Sequence, residues 1–79
     1  MEEYRITNPE MVELKQTMGF RVTDAKWNEF VSSHPGGCTN TEMVRFVKEW
    51  MDPPYKVAGG NVDAHLENIL KAFVNFLRG

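Results

Sequence analysis

An internal disulfide is excluded at the outset, because Cys38 is the only cysteine in 79 residues. Small secreted domains usually reinforce a thin core with cystine bridges, so a lone thiol favours a reducing compartment, and a cytoplasmic location is expected. Long hydrophobic runs are lacking too. A membrane-spanning helix needs about 20 consecutive apolar residues. Here the apolar segments are broken every few positions, and the acidic opening "MEEYRITNPEMVELK" has no signal-peptide core. Neither export nor a membrane partner is expected.

Histidine is scarce. His34 and His65 stand apart, with no C-x-x-C or H-x-x-x-H grouping around them, so no metal and no other cofactor is expected. Charge in excess is missing as well: 11 acidic residues against 9 basic ones leave a net charge of −2. A strongly basic balance would draw the chain to nucleic acid without regard to sequence; here any such role has to rest on a local patch. There is no internal repeat or low-complexity tract. With 42% hydrophobic and 25% charged residues, the chain reads as one small globular domain over residues 1–79.

What is present is helical periodicity. In "TNPEMVELKQTMGF", Asn8 is placed to cap, Pro9 suits the first helical position, Met11, Leu14 and Met18 repeat at helical spacing, and Gly19 is a natural terminator. Thr23 caps a second helix whose face is Trp27, Phe30, Val31 and His34, and Pro35 ends it. Thr39 or Asn40 starts a third, where Met43, Val44, Phe46, Val47, Trp50 and Met51 form a stripe about 160° wide. So broad a stripe either touches several neighbours or offers apolar surface to a partner. Gly60 or Asn61 starts the last and longest helix, with Val62, Leu66, Ile69, Leu70, Phe73, Phe76 and Leu77 on one face.

The fold expected is therefore all-α: a compact orthogonal bundle of four helices, about 9–18, 24–33, 41–51 and 61–78. Trp27, Phe30, Phe46, Trp50, Phe73 and Phe76 are expected to fill most of its core. Three tripeptides of one pattern, "YRI" at 4–6, "FRV" at 20–22 and "YKV" at 55–57, alternate aromatic, basic and β-branched residues. They form either a minor short-stranded sheet or plain extended linkers.

Residues 34–40, "HPGGCTN", bring His34 and Cys38 close in sequence, which is the one arrangement here that offers a base beside a thiol. The spacing matches no known signature, and both residues suit a helix-helix corner, so no catalytic residue is assigned. The carboxylates Glu2, Glu3, Glu10 and Glu13 read as a solvated face. Met11, Met18, Met43 and Met51 suit core filling, and any left uncovered would suit an adaptable binding surface.

With no catalytic constellation, the expected function is that of a small non-enzymatic protein-binding module. It would act as an adaptor, regulator or inhibitor of a larger protein through a helix face. Arg45, Lys48, Tyr55 and Lys56 are its expected partner-binding residues. The alternative is a helix-turn-helix-like DNA-binding regulator, as a homodimer, reading with Thr39, Asn40, Thr41, Arg45 and Lys48 of the third helix.

Overall fold

Each helix begins where a side-chain oxygen meets the orphan amides of a first turn. The computed structural model describes residues 3–18, 20–52 and 61–79 and contains α1 (Asn8–Thr17), α2 (Asp24–Ser33), α3 (Asn40–Trp50) and α4 (Val62–Arg78). The caps are Thr7, Thr23, Thr39 and Asn61. The four expected helices are present, each boundary within one residue of expectation.

One cap is corrected. Asn8 lies inside α1, and the residue before it closes the helix. Glu10 N donates to Thr7 Oγ1, while Thr7 N donates to Glu10 Oε1 at 2.9 Å. This reciprocal capping box satisfies two orphan donors at once. Asn8 instead donates through Nδ2 to the carbonyls of Val31 and His34, tying the start of α1 to the end of α2. Thr39 and Glu42 repeat the box at α3. Gly19, the expected end of α1, lies outside the described residues, as do Gly60 and the tripeptide at 55–57.

The minor sheet exists, with a partner the tripeptides do not supply. β1 (Arg5–Ile6) pairs antiparallel with β2 (Cys38–Thr39), Arg5 opposite Thr39 and Ile6 opposite Cys38. Ile6 is buried and Arg5 exposed, as the alternation in "YRI" requires. Asn40 adds a further rung: its N–H donates to Tyr4 O at 3.0 Å, and Tyr4 N donates to Asn40 Oδ1 at 2.9 Å. "FRV" is no strand. Phe20 and Arg21 have φ of 47° and 55°, a left-handed turn that buries both Phe20 and Val22.

The core runs from Ile6 through Met11, Leu14, Trp27 and Met43 to Leu66, Leu70 and Val74. Trp27 Nε1 donates to Met11 O at 3.0 Å, and its ring meets the Phe46 ring edge-on at 5.7 Å. Phe30 stacks on Phe46 at 4.2 Å, so the aromatic contacts join α2 to α3. Met11, Met43 and Met51 are buried, which makes them core fillers.

Two expected core aromatics are not in the core. Phe76 is 74% exposed and Trp50 43%. Along α4 the buried line is Leu66, Leu70 and Val74. At 100° per residue Phe76 points about 120° away from that line, while Val74, left out of the expected stripe, lies on it. Trp50 sits at the edge of α3, where the Lys26 amine lies 3.9 Å from its ring centroid. No helix among the described residues is long and apolar enough to cross a membrane.

Candidate functional site on the third helix

The corner "HPGGCTN" uses its two reactive-looking residues for packing. Cys38 is fully buried in β2, its Sγ 3.6 Å from Met11 Sδ, and burial pushes the thiol up to about 12. A thiol held that high supplies no thiolate at neutral pH. The His34 ring lies 4.2 Å from Phe30 and its Nδ1 is 2.8 Å from Phe30 O, which can only accept, so Nδ1 carries the hydrogen. Its Nε2 lies 3.7 Å from Glu42 Oε2. His34 and Cys38 thus engage different neighbours. Among the described residues no group of three or more His, Cys, Asp or Glu converges as a metal site would need.

The outer side of α3 is a different kind of surface. Its apolar stripe is taken up by the core except for Trp50, and the polar residues that face solvent form the ridge of Thr41, Glu42, Arg45, Lys48 and Glu49. A shallow cleft flanks the ridge on each side. Toward α4, a cleft of about 280 Å³ is lined by Thr41, Val44, Arg45, Lys48, Asp63 and Glu67. Toward α2, one of about 260 Å³ is lined by Phe30, His34, Glu42, Arg45, Phe46 and Glu49.

Arg45 lines both clefts, and among the described residues it makes no hydrogen bond or ion pair. Lys48 is engaged: its Nζ lies 3.0 Å from Asp63 Oδ1, bridging α3 to α4. The Thr39 backbone N–H donates to the Glu42 carboxylate and holds it below the usual range, so Glu42 is charged while it caps the helix. Of the expected site residues, Arg45 and Lys48 thus come together on one ridge, while Tyr55 and Lys56 lie outside the described residues.

Glu49, Asp63 and Glu67 were not singled out from the sequence. The i, i+7 spacing of Glu42 and Glu49, on the helix face that carries Arg45, is the signal that could have found one of them. Asp63 and Glu67 come from α4 and had no local signal.

Two residues counted toward DNA reading are spent inside the fold. Thr39 closes the capping box, and Asn40 is 1% exposed and bonded to the Tyr4 backbone. With Lys48 paired to Asp63, Thr41 and Arg45 are what remain for base or phosphate contacts. Compared with protein-family models, curated proteins and solved structures, the chain finds no match.

Proposed function

We propose that this chain is a small non-enzymatic protein-binding module, an adaptor or inhibitor that occupies a surface of a larger protein with the outer ridge of α3. The observation that carries the proposal is the position of Arg45, exposed and, among the described residues, unpaired between two clefts on a helix whose other face is fixed in the core. A rigid backbone under an unpaired planar cation is a favourable anchor, because little freedom remains to be lost on binding. Arginine is also the charged residue most enriched among the side chains that dominate protein interfaces. Lys48, held by Asp63, serves as part of the rim.

The test is capture of partners from the source organism with the native chain and with Arg45→Glu and Glu49→Lys as separate variants. Both side chains are exposed, so both variants keep the fold. If the ridge is the binding face, the two reversals shift the amount of retained partner in opposite directions, by about threefold or more. Equal retention across all three proteins rejects the ridge.

A further inference from the structure

We infer that His34 and Glu42 form a proton-operated latch between α2 and α3, which sets the seat of Glu42 and the charge of the cleft toward α2. Its consequence for a partner rests on the proposal that the α3 ridge is the binding face. Both ring nitrogens of His34 face acceptors. Nδ1 lies 2.8 Å from Phe30 O, which takes the hydrogen of the neutral ring, and Nε2 lies 3.7 Å from Glu42 Oε2. In the neutral ring Nε2 and the carboxylate oxygen are both acceptors, and no bond joins them. A proton on Nε2 turns the same pair into a cationic donor and an anion. The Phe30 ring, 4.2 Å away and tilted by 31°, is a further favourable neighbour for a cation.

One side of the latch is fixed and the other can move. The His34 carbonyl accepts from Asn8 Nδ2 at 3.1 Å and from Gly37 N at 2.9 Å, and the ring is tied to Phe30 O, so the histidine stays in place. Glu42 is held through Oε1, which accepts from Thr39 N at 2.9 Å and Thr39 Oγ1 at 3.2 Å, leaving Oε2 toward the histidine. A charge-assisted N–H···O bond closes at about 2.7–2.9 Å, so a rotation of the exposed Glu42 side chain by about 1 Å completes it. The charged groups around the ring are Glu42, Arg45 and Glu49 of α3, which line the cleft with it, and Arg5 of β1, whose Nη1 donates to Gly36 O. From α1 the neighbour is the uncharged Asn8, and on α2 itself Lys26 and Glu29 are paired with each other. Among the described residues Glu42 alone comes within ion-pair distance of the ring. With the ring neutral, Glu42 and Glu49 stand against Arg45 in this cleft, a surplus of one negative charge; protonation cancels it.

The experiment is a residue-resolved NMR pH titration of the full chain from about pH 5 to 8, the range in which imidazole ordinarily changes charge. The Glu42 carboxylate, held below the usual range by the Thr39 amide, stays charged throughout. The Thr39 and Glu42 amide resonances are expected to move in step with those of the His34 ring. Glu42→Gln keeps the capping box, which takes Gln at this position, and should largely remove the movement at Thr39. His34→Gln should remove it at both amides. Amides that stay still in the native chain, or that move as far in either variant, overturn the latch.

Partner capture at about pH 5.5 and about pH 7.5 extends the test to binding. A proton on His34 makes the cleft more positive, as Glu49→Lys does. Acidification should therefore shift the retained partner by about threefold in the same direction as Glu49→Lys, and His34→Gln should abolish that shift. A shift in the opposite direction, or one that persists in His34→Gln, overturns the role of the latch in binding. Equal retention by the native chain, Arg45→Glu and Glu49→Lys rejects the ridge as the binding face, while the latch stands or falls on the NMR titration.

Discussion

At the scale of single residues, the contacts of Arg78 with Glu10 and Arg5 join the two ends of the described chain. Arg78 Nε donates to Glu10 Oε2 at 2.6 Å and Nη2 to Oε1 at 3.0 Å, while Nη2 also reaches Arg5 O at 2.7 Å. One guanidinium thus fastens the last turn of α4 to the first turn of α1 and to β1. The Arg78 hydrogen bond, outweighing burial, brings the Glu10 carboxyl down from 4.5 to about 2. A carboxyl depressed on folding adds stability that is fully present above its unfolded value and disappears as pH falls through the folded one. Arg78 is partly solvated, so its screened contribution is about 1 kcal/mol. Arg78→Gln should therefore lower the stability measured by urea unfolding by about 1 kcal/mol at pH 7. The gap to the parent chain should narrow as pH drops below 4.5 toward 2. A gap that stays constant across that range would assign the loss to packing. In the sequence Arg78 is only the basic residue of a last helical turn, where it complements the dipole; nothing local reveals a partner 68 positions away.

At the scale of elements, the sequence was most legible where the physics is local. Thr23 caps as expected, and Thr39 and Asn61 cap as one of the two residues expected at each place, because an N-cap is decided by the residue and the three amides after it. At α1 the Asn-Pro signal drew attention past Thr7, although Thr7-x-x-Glu10 is as clear a capping box as Thr39-x-x-Glu42. Strand pairing was less legible. β1 follows its alternation, yet which segment pairs with it depends on how the corner after α2 folds back, and that is set by Gly37. This glycine has φ +93°, and a Cβ there would strike the Ile6 carbonyl oxygen of the opposite strand. Gly36, one position earlier, has open space around it. Gly37→Ala should cost about 2 kcal/mol or more, through left-handed strain together with the clash. Gly36→Ala should stay within about 0.5 kcal/mol, as a surface change does. Thermal unfolding of the two variants side by side checks this, and equal losses would show that the corner tolerates a side chain at the sheet.

At the scale of the whole molecule, helical periodicity gave the stripes, while the covering of each stripe was decided by tertiary packing. On α3 the broad stripe is nearly all buried, so the apolar excess that hinted at a partner is absorbed by the core. What remains for a partner is the polar ridge, and a third of each cleft's lining comes from α4 or from α2 and its C-cap, which no local pattern on α3 encodes. On α4 the stripe is rotated toward Val74, leaving Phe76 outside. The same seven-residue reach of sequence therefore contains two large apolar residues with opposite energetic roles. Leu70 is 1% exposed and borders Met43, Val44, Val47 and Leu66 in the seam between α3 and α4. Truncating it removes transfer energy and leaves a void that a rigid seam cannot close, so Leu70→Ala should cost about 2–5 kcal/mol. For a chain near the lower size limit for a self-sufficient core, that is a large share of the total. Phe76, 74% exposed, gives up little on truncation, and Phe76→Ser should change stability by no more than about 0.5 kcal/mol. Urea titrations of both variants should show a much earlier midpoint for Leu70→Ala and a nearly unmoved one for Phe76→Ser. A loss above about 1.5 kcal/mol for Phe76→Ser would mean that this ring is covered in solution, and dependence of that loss on protein concentration would identify a second copy of the chain as the cover.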